Sequence, residues 1–203
     1  MVERILAPGL NAQNPNLPWF HVTRYGRQVL NAAEYQPHDP TGYLSRLRDR
    51  VEKPDATVVV YLSEALEAFR RGTLVASMVM LGVAAERVFD LLCGSMEVAL
   101  ADPAEKQRFS KLLRGFHIKP RLDWLHDKMR TIQEARPAGF PENASLMITA
   151  IYDLMRCQRN DLGHPREIPP RLSIEDANAN LQIFPRYYET AEVARRFLAH
   201  HSV

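Results

Sequence analysis

The chain of 203 residues is long enough to bury a core without disulfide bonds or a structural metal. Its 46% hydrophobic and 25% charged residues are typical of a globular protein and exclude a disordered, collagen-like or membrane chain. The net charge of +2 is too small to indicate nucleic-acid binding by itself, because phosphate binding needs clustered positive charge.

Location and cofactor use are constrained by what the sequence lacks. It contains no run of about 18 apolar residues and no start typical of a secretion signal, so we expect a cytoplasmic protein without a membrane segment. The two cysteines, Cys93 and Cys157, lie far apart without metal-ligand spacing, which predicts reduced thiols. Phosphate-loop, serine-nucleophile and zinc-protease motifs are also missing, and we therefore expect no metal and no cofactor.

Residues 1–50 differ from the rest of the chain because prolines interrupt them repeatedly. The alternation of apolar and polar residues over 19–23, followed by Gly26 and then by 28–30, predicts one hairpin. We therefore predict a proline-rich N-terminal arm, or a small hairpin or winged element. DNA binding through this segment is a further hypothesis.

Helical spacing begins at Asp55. Apolar residues recur at three- and four-residue steps up to Phe69, and Gly72 is the predicted stop. The next segment, from Leu74 to about residue 98, is apolar on almost every side, which predicts a helix in the middle of a bundle. Gly82 lies inside that helix at a cost of about 1 kcal/mol relative to Ala, so we expect a neighbouring helix to approach closely there.

More helices are predicted in the second half of the chain, and the connections between them are short. The last one opens with Ser173-x-x-Asp176, which resembles a capping box, and Pro185 is expected to weaken or kink it. The sequence thus predicts an all-α fold, an up-and-down bundle of five to six helices over residues 55–203. The segments concerned are 102–113, 119–132, 143–163 and 173–200.

The helix predicted over 143–163 leads into the hexapeptide RNDLGH, Arg159 to His164. Arginine and histidine five residues apart also occur elsewhere in the chain, so the spacing alone proves little. Here the arginine is followed directly by Asn160, and the histidine lies between Gly163 and a proline. Residues five apart on a straight helix point about 140° apart, and the helix must unwind at Gly163 for the two side chains to converge.

Converging guanidinium and imidazole groups would suit phosphate chemistry. Arg159 would hold a scissile phosphate and stabilise the charge of the transition state, while His164 would act as general base or general acid on ribose or leaving-group oxygens. No metal is needed for such a transesterification. A two-fold dimer would supply a second histidine. In the alternative interpretation, Arg159 and His164 cap the helix and Asn160 orients them, without turnover.

Glu86 is the second residue of interest, because a carboxylate within an apolar helix needs a partner. Pairing with Arg159 would aim the guanidinium and place Glu86 in the catalytic group. The alternative is a pair in the neighbourhood of Arg87, or with another arginine such as Arg156.

The hexapeptide resembles the Arg-x(4–6)-His motif of the HEPN superfamily, helical domains with a four- or five-helix core, in which an asparagine often follows the arginine. The segments 61–69 and 84–86 also look like the first two core helices of that family, so the resemblance spans about residues 57–200. Arg159, Asn160 and His164 match the motif directly, whereas Glu86 matches only loosely.

The resemblance implies a metal-independent endoribonuclease that acts as a homodimer in a toxin–antitoxin or phage-defence system. RNA would be the substrate, an antitoxin protein a further partner, and Arg156 and Arg166 are predicted to bind RNA. Many members of the superfamily lack catalysis. The alternative function is therefore a non-catalytic helical dimer that binds a nucleotide or a partner protein.

Overall fold

The computed structural model describes residues 6–11, 13–23, 27, 36–163 and 172–203. The chain forms two compact units, Met1–Gln36 and Pro37–Val203. The boundary predicted at residues 50–55 lies later than this division, because residues 40–50 form a helix that belongs to the second unit.

The first unit contains a small antiparallel sheet of strand β1, Leu6–Pro8, and strand β2, Phe20–Val22. The sequence analysis expected residues 19–23 and 28–30 to form a hairpin, and because residues 28–30 lie outside the described residues, that pairing stays a prediction. Strand β2 pairs with the upstream β1, which the sequence analysis did not predict. Gly9 allows the turn that follows β1, since it has a φ of 93° and a Cβ there would lie 2.0 Å from the Asn14 carbonyl oxygen.

The described part of the second unit is helical throughout its regular elements, which confirms the all-α prediction. Its helices are α1 Pro40–Arg50, α2 Ala56–Arg70, α3 Leu74–Ala99, α4 Pro103–Arg114, α5 Ile118–Glu134, α6 Ala144–Gly163 and α7 Ile174–Leu198. None of these described helices combines the length and the apolar character that a membrane crossing requires.

Helix α1 was missed by the sequence analysis, which placed it in the irregular N-terminal segment. It buries only Tyr43 and Leu47, four residues apart, so its apolar pattern is too short to stand out. Asp39 caps it by accepting a hydrogen bond from the Gly42 amide, and Pro40 occupies the first turn, where a proline is tolerated. A proline next to a capping aspartate therefore marks a helix start here and not an irregular arm.

Neighbouring helices alternate in direction, as the short connections predict. Helix α3 runs antiparallel to α2 and α6 and parallel to α7. Helices α4 and α5 are antiparallel, as the contacts Glu105–Lys128 and Phe109–Trp124 show. Helices α5 and α6 are also antiparallel, as the contacts His126–Thr149 and Gln133–Ser145 show.

Helix α3 lies in the middle of the bundle, as its apolar sequence predicted. It packs against α2, α6 and α7, and most of its residues between 77 and 99 are buried. Gly72 ends the preceding helix with a φ of 77°, which agrees with its predicted role as a stop. The centre of this helix, residues 82–89, is therefore the natural platform for a site shared with α6.

Helix α7 begins at the predicted serine cap, with one difference in detail. The Ser173 hydroxyl oxygen accepts a hydrogen bond from the Asp176 amide at 3.0 Å, and the same hydroxyl donates to the Asp176 carboxylate at 2.7 Å. A capping box would instead bring the carboxylate to the Ser173 backbone amide. The helix continues through Pro185, which is buried inside it.

Candidate functional site between helices α3 and α6

Two contacts fix how α6 lies against α3. Gly82 faces Arg159, and the ring of Phe89 stacks on the ring of Tyr152 with centroids 4.2 Å apart. Seven residues separate the contacting pair on each helix, which is about two helical turns, so all four residues lie along one seam. Glu86 lies between Gly82 and Phe89 on the same face of α3.

Glu86 and Arg159 form an ion pair across this seam. The Arg159 Nη2 atom lies 3.2 Å from the Glu86 Oε2 atom, and the two side chains are 33% and 28% exposed. The pairing that the sequence analysis considered for Glu86 is therefore found in the structure. Solvent reaches both charges, but about two thirds of each side chain is covered.

Gly82 explains why Arg159 can lie so close to α3. A Cβ at position 82 would lie 2.5 Å from the Arg159 Cβ and 3.0 Å from its Cγ. Both distances are too short for carbon atoms in contact, and the stem of an arginine near its backbone cannot easily move away. The close approach predicted from Gly82 is confirmed, and the neighbour is the arginine of the motif.

The alternative partners of Glu86 are occupied elsewhere. Arg87 donates to Asp55 on α2 at 2.9 and 3.2 Å, and Arg156 donates to Asp153 on its own helix at 2.6 and 3.0 Å. The hydrogen bonds that Arg156 donates to the Asp153 carboxylate are the main cause that raises the pKa of Arg156. Arg156 thus does not hold Glu86, and its predicted contact with RNA stays a prediction.

Tyr152 was missed by the sequence analysis, which singled out only the motif residues at the end of this helix. Its side chain is buried, and its hydroxyl has no hydrogen-bond partner among the described residues. Burial is the main cause that raises the pKa of Tyr152, and the negative charge of Glu86 is the next. The signal in the sequence was its position seven residues before Arg159, on the same face of one helix.

The structure describes the motif as far as Gly163. Asn160 is partly exposed on α6, and the described helix extends to Gly163, which is still helical. Any change of direction that brings His164 to Arg159 must therefore follow Gly163. His164 and Arg166 lie outside the described residues, so the predicted convergence of the two motif side chains stays a prediction.

The outer side of α6 carries apolar side chains that nothing in the described chain covers. Leu146 is 63% exposed and Leu154 48% exposed, and Ala150 between them is also exposed. Spacings of four residues place the three on one stripe of the helix. Arg159 faces the other way, toward α3, while Asp161 of the motif falls on the same side as the stripe.

Metal binding finds no support within the described residues. They contain no group of three or more histidine, cysteine, aspartate or glutamate side chains placed to hold a metal ion. The chemistry of the described site is that of an arginine, a carboxylate and a buried phenol.

No match to this chain was found among protein-family models, curated proteins or solved structures.

Proposed function

We propose that the protein is a metal-independent endoribonuclease of the HEPN type, in which Arg159 binds the scissile phosphate. The observation that supports this most is that contacts with α3 fix the position of the Arg159 guanidinium. Gly82 admits the stem of Arg159, and Glu86 fixes its head at 3.2 Å, while a third of the side chain stays open to solvent. A guanidinium that already lies at the site before the substrate arrives needs only a change of partner to stabilise transition-state charge.

The proposed reaction is an internal transesterification. A general base takes the proton of the ribose 2′-OH, the 2′-oxygen attacks phosphorus, and the 5′-oxygen of the next nucleotide leaves with a proton from a general acid. His164 supplies one of these roles, since an imidazole titrates near neutral pH. The products are a 2′,3′-cyclic phosphate and a 5′-hydroxyl end.

We propose that the enzyme acts as a homodimer whose second histidine supplies the other proton-transfer role. The apolar stripe of α6, made by Leu146, Ala150 and Leu154, supports a dimer contact along that helix. Asp161 lies on the same side of the helix, so a two-fold axis near this end would bring together the two C-terminal ends of α6, which His164 follows in the sequence. Toxin–antitoxin or phage-defence use, with an antitoxin partner, belongs to the same proposal.

Leu154→Glu tests the dimer, because a charge within the stripe must be desolvated on association. Light scattering should find a dimer for the unchanged protein and a monomer for this variant. Val60→Glu on α2 is the matched control, since Val60 is also an exposed aliphatic residue on a helix, and it should leave the dimer intact. A monomeric unchanged protein would contradict the dimer proposal.

RNA cleavage tests the activity. The unchanged protein should cut RNA in the presence of EDTA, and His164→Ala should remove the cleavage while His200→Ala, at an exposed position, should not. Analysis of the new ends should find the 2′,3′-cyclic phosphate. Intact RNA, or equal cleavage by the two histidine variants, would contradict the proposed function.

A non-catalytic helical dimer that binds a nucleotide or a partner protein is the second candidate. The observation that favours it is that Arg159 already has a carboxylate partner, as a purely structural clamp between α3 and α6 would require. In that case Arg159→Ala lowers the free energy of unfolding while RNA stays uncut by either protein.

A further inference from the structure

Tyr152 differs from the other fully buried tyrosines among the described residues. The hydroxyls of Tyr43 and Tyr187 donate to the backbone carbonyls of Leu181 and Ala85, and the hydroxyl of Tyr188 accepts from the Asp55 amide. The hydroxyl of Tyr152 has no partner in the described part of the chain. A buried phenol normally finds an acceptor, because leaving it unpaired costs the desolvation of the group.

The ring of Tyr152 is held firmly although its hydroxyl is not. It stacks on Phe89 with centroids 4.2 Å apart and the planes only 4° from parallel. Phe89 lies one helical turn after Glu86 on α3, so the ring is fixed next to the position of Glu86 along the seam. The influence of the Glu86 charge on the pKa of Tyr152 agrees with that placement.

The ion pair of Glu86 and Arg159, next to Tyr152, lacks a donor when Arg159 binds a ligand. If Arg159 turns its guanidinium to an anionic ligand, the Glu86 carboxylate loses its partner while 28% exposed. An unpaired carboxylate that is mostly covered is unfavourable, and a phenol is a strong donor to such an oxygen. One group has a spare donor, and the other requires a donor when the ligand binds.

We propose that Tyr152 is the alternate partner of Glu86, a positioning residue whose hydroxyl donates to the carboxylate when Arg159 is given to a phosphate. The phosphate in this statement rests on the proposed function. The exchange of partners does not rest on it, because the Glu86 carboxylate should accept a hydrogen bond from Tyr152 whenever the Arg159 guanidinium is lost. No covalent bond changes, and the phenol keeps its proton.

A double-mutant cycle read by thermal unfolding tests the exchange without RNA. Tyr152→Phe in the unchanged protein should leave Tm the same or slightly higher, because the deleted hydroxyl has no partner. In an Arg159→Met background, which keeps the stem against Gly82 and removes every donor, the same change should lower Tm by about 3 °C. The coupling should disappear when Glu86→Ala is added.

Tyr187→Phe is the matched control, since the Tyr187 hydroxyl already has an acceptor, the Ala85 carbonyl at 2.9 Å. It should lower Tm by the same amount in both backgrounds. If Arg159→Met does not fold, Arg159→Ala serves as the background. Equal effects of Tyr152→Phe in both backgrounds would overturn the exchange, because the Tyr152 hydroxyl would then not replace Arg159 as the partner of Glu86.

RNA cleavage by the same variants separates this inference from the proposed function. Tyr152→Phe should lower kcat for RNA cleavage several-fold at an unchanged Tm, a combination that loss of structure cannot produce. If the double-mutant cycle shows coupling but the RNA stays intact, the exchange of partners is supported and only the nuclease proposal is overturned. If RNA is cleaved but the cycle is additive, the nuclease proposal is supported and the exchange of partners is overturned.

Discussion

Glu86 and Arg87 are neighbours on α3, and each joins this helix to a different helix through an ion pair. Asp55, the partner of Arg87, receives two hydrogen bonds from the guanidinium at 2.9 and 3.2 Å and two more from the Thr57 and Val58 amides. Glu86 meets Arg159 at a single contact of 3.2 Å. The Asp55 carboxylate therefore accepts four hydrogen bonds, whereas within the described part of the chain the Glu86 carboxylate meets its arginine at one contact.

The difference shows which pair serves stability. Asp55 caps α2 and holds α3 at the same time, and the hydrogen bonds from Arg87 are the main cause that lowers the pKa of Asp55. Around Glu86 and Arg159 the helices approach closely at a glycine, and a phenol is left without a partner among the described residues. A network with unmet hydrogen bonds is costly unless something else uses it.

Removing each carboxylate should separate the two roles most clearly. Asp55→Ala should lower the free energy of unfolding by about 2–3 kcal/mol, because a helix cap and a two-pronged ion pair are lost together. Glu86→Ala should cost about 1 kcal/mol or less, since a single, partly exposed contact is lost. Urea unfolding measures both values.

Cleavage of RNA by these two variants should run in the opposite order. Glu86→Ala should lower the rate, because Arg159 is no longer aimed, whereas Asp55→Ala should keep it at temperatures where the protein is folded. The distinction between the two pairs would be wrong if Glu86→Ala were the more destabilising change and left the rate intact.

The two glycines of α3 offer the next test. Gly82→Ala should lower the free energy of unfolding by about 1–2 kcal/mol, because the new methyl group collides with the Arg159 stem and outweighs the helix-propensity gain. Gly94→Ala in the same helix meets nothing within 4 Å and should raise it by up to about 1 kcal/mol. Thermal unfolding that moved both variants in the same direction would contradict the close packing at Gly82.

Low pH should weaken the ion pair of Asp55 and Arg87 in particular. The folded-state pKa of Asp55 is lowered, so its contribution is present above the unfolded pKa, about 4, and is lost as the pH falls through the folded value. Stability measured from pH 5 to pH 2 should therefore fall less steeply in Asp55→Asn than in the unchanged protein. An identical slope in the two proteins would show that Asp55 does not titrate as its contacts require.

Long apolar patterns made most of the fold predictable from the sequence. The helices α2 to α7 begin and end within about two residues of their predicted bounds, since their apolar residues repeat over several turns and their caps are recognisable. Helix α1 was missed because Tyr43 and Leu47 alone face the core. The partner of β2 was not predicted, because strand pairing depends on residues distant in sequence.

The residues of the site that could be predicted are those that are unusual in an apolar helix. A lone glutamate and a glycine in an apolar helix both indicated a neighbour, and the structure identifies Arg159 for each. Tyr152 gave no such signal, because a tyrosine among apolar residues looks like any core residue until its hydroxyl is seen to lack a partner. The residues predicted to complete the site, His164 and Arg166, lie outside the described part of the chain.

The most direct test of the central claim, that Arg159 is held ready for a phosphate, compares two arginine-to-lysine variants in an RNA-cleavage assay with EDTA. Arg159→Lys keeps the charge but loses the planar fork with which the arginine pairs with Glu86 and then binds a phosphate, and its rate should fall by about 10²–10³-fold. Arg87→Lys alters the structural pair beside it and should leave the rate unchanged. Equal rates for the two variants would contradict the account.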